Sequence, residues 1–573
     1  MNDGRCIRDF GPTWPRRTRS KTAPAAPTLV VFAALLAVLL LEAAGAALSP
    51  VAAQQEGDAS TGEERMPVYT TLGDQSRRIT TDSRMAQTYF NQGLRLMYAY
   101  HTRMAVRAFE EAQRLDPDCA MCYWGEAWAW SPYLNGGMSP EAERTADEAI
   151  QRARALAREN GTEVERDLID AFDVRYAADP DPDREASRSP RDRMTALDSA
   201  YARAMAEVAL SHPLDNDVQT LWAESIMLLR PRYEMRPMDD PDVQTARRVL
   251  EEVLRREITH PGACHLYIHL MEMSPEPEAA EPCADLLDDQ IPGASHIQHM
   301  PSHIYMRTGR YDDAVLGNLD AWHVDEQADA GLGMIPIYPT HNLEMLVYAA
   351  NWSGQGAIAI DGARNLAEIL PQSAVLVPQT LALFGRWDEI LATEERPEDA
   401  LAQGGWSFAR GMAFLRTDQP SRARQELETL ERQEEEVGGQ RVYRGAEYEE
   451  VLSIARTILE GEIALHAGRI DEAVRRFEEA VEVEDALAYS EPEPWHLPAR
   501  RFLGAALLEA ERWTEAEDVF RAALEDHVDT GWTLFGLERA LRGQDRVREA
   551  DRVHRQFERA WERADVWLRS SRL

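Results

Sequence analysis

Lysine is almost missing from this 573-residue chain: Lys21 is the one example, so arginine supplies the rest of the 62 basic residues. Against 99 acidic residues they leave a formal net charge of −37. Such a surplus repels phosphate backbones and argues against nucleic acid as a partner. Cysteine is scarce, with five in the chain. Cys119-Ala-Met-Cys122 has CxxC spacing, but no His follows Cys122, so c-type haem attachment is not supported. A disulfide or two buried thiols suits that pair better than a zinc site. A glycine-rich phosphate loop, a nucleophile elbow and a His-Glu-x-x-His run are also missing, and with them the usual signatures of three large enzyme classes. After residue 53 no second apolar run is long enough to span a bilayer.

The N-terminus is patterned differently from the rest. Arg5, Arg8, Arg16, Arg17, Arg19 and Lys21 form a basic region, Leu29 to Leu41 an apolar run, and Val51-Ala52-Ala53 a small-residue end. That order predicts a secretory signal over 1–53, cut after Ala53, with an uncleaved signal anchor as the alternative. The expected location is therefore periplasmic or extracellular, with membrane contact only through that anchor. Residues 54–80 are expected to be a disordered leader. Beyond them, long stretches rich in Ala, Glu, Arg and Leu favour helix by intrinsic propensity. The length exceeds one compact core and suits an elongated array.

A repeat supplies that array. Gly93, Ala105, Phe109, Ala112 and Pro117 within 86–119 match the pattern of a 34-residue helix-turn-helix unit. Ala246, Ala280 and Ala314 recur at intervals of 34, as do Ala516 and Ala550. Gly461, Gly468, Ala473, Phe477 and Ala480 form a later unit, and Gly504, Ala516, Phe520 and Ala523 another. The chain thus resembles the tetratricopeptide-repeat (TPR) family. The resemblance implies an all-α solenoid whose concave groove is lined by the first helix of each unit. We expect units near 86–119, 120–153, 216–260, 261–294, 295–328, 340–373, 404–437, 454–487, 497–530 and 531–564. They group as irregular N-terminal helices (81–260), a histidine-rich middle (261–373) and C-terminal units (374–573). Residues 176–193, 232–241 and 329–339 are expected to be loops.

Eight of the 14 histidines fall between 260 and 341. In the repeat register His265 and His299 share position 5, His269 and His303 position 9, and His296 and His341 position 2. The TPR resemblance implies that these positions face the groove. Independently, His265 and His269 at i,i+4, with Glu272 at i+7, share one helix face, and His299 and His303 share another. Packed helices lie roughly 8–10 Å apart, so imidazoles from two of them can meet on one ion. We therefore expect His265, His269, His296, His299, His303 and His341 to ligate one or two transition-metal ions. Zinc, copper or iron suits imidazole, and magnesium and calcium do not. Glu272 is the candidate general base on bound water. Glu344 and Glu224 are weaker candidates. Pro301 sits inside this pattern and must kink the helix or start it, which places His296 and His299 on a turn.

Phe90, Leu94, Trp124 and Trp128 occupy groove positions of the first two units and offer either a peptide site or packing between units. Tyr267 and Tyr305 flank the histidines and are expected to pack. The segments His260-Pro-Gly-Ala-Cys-His-Leu-Tyr-Ile-His269, His299-Met-Pro-Ser-His-Ile-Tyr305 and His341-Asn-Leu are similar to motifs of a group of bacterial exported TPR proteins. That likeness implies motifs and no reaction. The sequence thus predicts an exported TPR protein with a metal site in its groove, acting as a metal-dependent enzyme or as a metal carrier. The alternative is a non-catalytic scaffold for a protein or peptide partner.

Overall fold

A computed structural model describes residues 65–176, 190–230, 238–331, 333–394, 397–437 and 441–572. The segment expected to be a signal or anchor, and residues 54–64 of the leader, lie outside the described residues. Beyond residue 83 the described residues are mostly helical, in antiparallel pairs packed side by side, with one short hairpin of Val442–Tyr443 and Ala446–Glu447. The first pairs are α1 (Arg84–Tyr98) with α2 (Thr102–Leu115), α3 (Ala120–Trp130) with α4 (Pro140–Asn160), α5 (Glu163–Asp173) with α6 (Pro190–Ser211), and α7 (Asn216–Met227) with α8 (Pro241–Arg256). The middle holds α9 (Pro261–Met271) with α10 (Glu281–Leu287), the broken helix α11 (Ser295–His299) and α12 (Pro301–Arg307) with α13 (Tyr311–Asp329), and α14 (Pro339–Ser353) with α15 (Gly356–Ile369). Then come α16 (Leu376–Leu383) with α17 (Trp387–Ala392), α18 (Ala400–Arg416) with α19 (Pro420–Val437), α20 (Tyr448–His466) with α21 (Ile470–Asp485), α22 (Ala499–Glu509) with α23 (Trp513–Asp526), and α24 (Gly531–Gly543) with α25 (Val547–Ala560). The fold is the expected all-α TPR-like solenoid. The pairs α5–α6 and α16–α17 lie between the expected units, where the repeat pattern is too weak to read. Among the described residues no helix is long and apolar enough to cross a membrane.

The repeat pattern has a packing cause. Phe109 is fully buried between α1 and α3. A Cβ on Gly93 would meet its ring at 2.6 Å, and one on Gly125 at 2.4 Å. Glycine at these places lets three helices close on one aromatic side chain. Gly461 does the same for Phe477, and Gly504 and Gly536 for Phe520. Truncating such a ring to alanine costs about 3–5 kcal/mol.

Residues 65–80, expected in a disordered leader, instead run as an ordered strap with Met66, Leu72 and Ile79 buried. The Gly293 N–H donates to Thr71 O at 2.7 Å. Arg77 reaches Asp215 at 2.8 Å and Asp217 at 3.1 Å. Asp217 also accepts from Tyr98 Oη at 2.5 Å and lies 3.2 Å from His260 Nε2. Burial alone would raise the Asp217 pKa, but the His260 hydrogen bond and the Arg77 charge hold it well below the usual carboxylate range. The strap lacks helix periodicity, and its anchors lie some 140 residues on, so its order is not a local property.

At the other end the superhelix turns back on its middle. Trp532 Nε1 donates to Asn351 O at 3.0 Å, and Tyr311 Oη to Val528 O at 2.9 Å. Asp565 accepts from the N–H groups of Gly356 and Ala357, both at 2.8 Å, and so caps the N-terminus of α15. Two disulfides are formed, Cys119–Cys122 and Cys264–Cys283. The second ties α9 to α10.

Candidate metal centre

All six candidate histidines come together, sorted into two groups of three. The ligand nitrogens of His265, His269 and His296 lie within 4.8 Å of one another, as do those of His299, His303 and His341. The i,i+4 pairs His265–His269 and His299–His303 therefore do not share one group: α9 completes its pair with His296 of α11, and α11–α12 completes its pair with His341 of α14. The groups adjoin, with ring centroids of His296 and His299 5.7 Å apart and those of His269 and His303 6.1 Å apart. Five of the six rings are at most 3% exposed, and His341 is partly buried.

Pro301 begins α12 at its first position, as expected, but His296 and His299 lie on the helix α11 and not on the expected turn, because Met300 continues the helical path into Pro301. Met300 keeps helical dihedrals, with φ −53° and ψ −39°. The axis therefore bends without the chain leaving it, and His299 and His303 stay on one face, their centroids 4.8 Å apart.

Each group is oriented from behind. His265 Nδ1 lies 2.7 Å from the carbonyl oxygen of Tyr98. A carbonyl only accepts, so Nδ1 carries the proton and Nε2 is left as the donor to an ion. His299 Nδ1 lies 2.8 Å from Asn318 Oδ1, and the Asn318 amide is fixed by its own donation to Ala314 O at 2.7 Å. His303 Nδ1 lies 3.1 Å from both Glu272 and Glu491. With both Nδ1 protons committed, His299 Nε2 and His303 Nε2 face each other at 3.0 Å. Two lone pairs at that distance repel unless a cation, a proton or a metal ion, lies between them. A tetrahedral ion with bonds of about 2.0–2.1 Å holds neighbouring nitrogens about 3.4 Å apart, so the donor set fits a transition metal.

Glu272, the C-cap of α9, stands between the groups. Its Oε1 is 3.4 Å from His269 Nδ1 and its Oε2 is 3.1 Å from His303 Nδ1. The weaker candidates lie elsewhere. Glu344 bonds Ser373 at 2.6 Å and pairs with Arg444. Glu224 is buried away from the histidines, and burial pushes its carboxyl up to about 7. His260 is the N-cap of α9, accepting from the Ala263 N–H at 3.1 Å.

Three tyrosines close the site. Tyr100 lies against His265 at 4.2 Å between centroids, and Tyr338 meets His296 edge-on at 5.0 Å. Tyr133 touches both, packing on Tyr100 at 5.1 Å and bonding Tyr338 Oη at 2.7 Å. Tyr100 and Tyr338 both have left-handed backbones, φ 61° and 56°. This conformation costs a side-chain-bearing residue about 1–2 kcal/mol and concentrates at functional sites. The aromatic positions expected as groove or packing are packing: Phe90, Leu94, Trp124 and Trp128 are at most 5% exposed. Tyr267 and Tyr305 hydrogen-bond Glu251 and Asp285, on the far side of their helices from the histidines.

Glu491, Asn318 and the three tyrosines escape sequence reasoning because none shares the histidines' register. Glu491 lies 188 residues beyond His303. Its one signal is the insertion Ser490-Glu-Pro-Glu-Pro-Trp-His496, which makes the turn between α21 and α22 longer than a repeat requires.

No protein-family model and no curated protein matches the chain. Solved structures with similar helical arrays include the TPR domain of P58(IPK), at 12% identity and a TM-score of 0.21 over 80% of this chain and 98% of that one. A monomeric mutant of IFIT1 with Gppp-AAAA aligns at 12% and 0.29, covering 81% and 95%. The human IFIT1 dimer with m7Gppp-AAAA aligns at 10% and 0.30, covering 82% and 95%.

Proposed function

We propose that this protein is an exported metalloprotein that holds two transition-metal ions, one on His265, His269 and His296 and one on His299, His303 and His341. The observation that carries the reading is the pair of imidazole nitrogens 3.0 Å apart, each ring held from its other nitrogen by an acceptor. All-nitrogen donors select zinc, copper or iron over magnesium or calcium. An ion with three protein ligands keeps a position for water or substrate, which is the arrangement of a catalytic site. Glu272, placed between both groups, is the base available to a water there. The burial of the site favours a resident ion over the exchangeable one of a carrier. Export is supported by the signal-like N-terminus and by two disulfides, which persist in oxidising compartments.

Metal analysis of the purified full chain, loaded and then freed of excess ion, tests the proposal. Two ions per chain are expected, with one lost in His265→Ala and the other in His299→Ala. A folded protein that retains no ion after loading with zinc, copper or iron overturns it. The chain is then a TPR-like scaffold, whose exposed faces serve a protein or peptide partner.

A further inference from the structure

The chain after α25 is irregular and returns to the C-terminal units. Trp561 Nε1 donates to Val566 O at 3.0 Å, which fixes the start of this segment. Trp567 is then 97% exposed, and Ser571 is buried again. The segment is thus an arch held at both ends. Its far end is received by the first helices of two units, which line the groove in a solenoid of this kind. Arg501 of α22 donates from Nε to the Ser571 carbonyl at 3.1 Å. Arg572 spreads its fork over two carboxylates: Nη1 lies 2.6 Å from Glu462 Oε1 on α20, and Nη2 2.6 Å from Glu509 Oε1 on α22. Glu462 is 1% exposed, and Arg416 of α18 holds its other oxygen at 3.0 Å.

Such contacts read an extended peptide, with a main-chain clamp for affinity and a side-chain seat for specificity. Carboxylates at both ends of one planar fork suit guanidinium better than the point charge of lysine. The segment fills its seat incompletely. Arg501 is buried and lies over Trp532, 4.3 Å from the ring centre, yet its Nη2 has no hydrogen-bond partner, and neither has the Ser571 hydroxyl. A buried donor left open is unfavourable, so an occupant that meets it fits better than the chain's own residues.

We propose that α20 and α22 form a docking groove for an extended, arginine-bearing segment of a partner protein, and that residues 570–572 are its resident occupant, which the partner displaces. The net charge of −37 draws a basic segment in. Tethered to the same chain, the resident competes at an effective concentration on the order of a millimolar, so the groove admits only ligands that bind better than it does. None of the six metal-site histidines takes part, and the proposal stands whether or not they hold ions.

Fluorescence anisotropy tests it, with a peptide of residues 566–573 that carries fluorescein at one end and an amide at the other. The peptide is titrated with the full chain, with a chain shortened after Val566, and with full-length Arg572→Glu, whose new carboxylate Glu462 and Glu509 repel. Both altered chains are expected to bind it roughly tenfold or more tighter than the wild type, because the tethered competitor is gone. Glutamine in place of Arg572 in the peptide is expected to abolish binding, and glutamine in place of the exposed Arg569 to leave it unchanged. Circular dichroism checks that each chain is folded; if shortening unfolds it, the Arg572→Glu chain carries the test. Equal binding by all three chains, binding that ignores Arg572 of the peptide, or no binding by a folded altered chain overturns the proposal and leaves residues 570–572 as a brace.

Discussion

His299 and His303 point their Nε2 atoms at each other across 3.0 Å while Asn318 holds one ring from behind and Glu272 and Glu491 hold the other. An isolated i,i+4 histidine pair on a solvated helix would spread its rings into water. Here both rings are almost wholly buried, and burying polar nitrogens nose to nose is unfavourable unless a cation joins them.

Asn318→Leu removes the acceptor that sets the His299 tautomer and leaves all six imidazoles in place. Affinity at the His299–His303–His341 group should fall about 10–100-fold, with the other group unaffected. Competition with a chromophoric chelator measures both sites. Equal weakening of both, or of neither, contradicts the assignment of Asn318 to one site.

The disulfide Cys264–Cys283 closes a loop of 19 residues and begins next to His265. Replacing both cysteines by serine should cost about 3 kcal/mol of stability. It should weaken the His265–His269–His296 group more than its neighbour, because α9 loses its tie to α10. Denaturant unfolding of metal-free protein measures the first effect and chelator competition the second.

The sequence carried the helices and the six clustered histidines, and for one reason: both are written at fixed spacing. Gly93, Phe109 and Gly125 repeat because three helices must close on one ring, and the histidines inherit that register. The sorting into two groups was not legible, because His296 and His299, both ahead of Pro301 on α11, divide between the histidines of α9 and of α14, and that depends on how the three helices pack. Nor was the strap 65–80 or Glu491, both fixed by contacts more than a hundred residues away.

His496 is buried and neutral: burial lowers its pKa to about 4 against an ordinary value of 6.5. Its Nδ1 lies 2.9 Å from Asn351 Nδ2 and accepts that proton. The folded pKa is the lower one, so the unfolded chain binds more protons between the two values. The stability this group contributes is complete above about 6.5 and is lost as pH falls toward 4, amounting to about 3 kcal/mol. Unfolding of chelator-stripped wild type and His496→Gln across that range should show the difference shrinking toward acid pH. A constant difference contradicts a neutral His496.

Gly125→Val places side-chain atoms where a Cβ alone would lie 2.4 Å from the Phe109 ring. Overpacking of this kind should destabilise the chain by about 1–3 kcal/mol or more. Thermal unfolding checks it, and an unchanged midpoint would mean that the three helices at Phe109 are looser than described.

The central claim is decided most directly by anomalous diffraction at the absorption edge of the bound metal, from crystals of loaded protein. The account predicts two peaks, each about 2.0–2.1 Å from three imidazole nitrogens, one set from His265, His269 and His296 and the other from His299, His303 and His341. No peak among these six rings, or ions bound only at surface carboxylates, would contradict it.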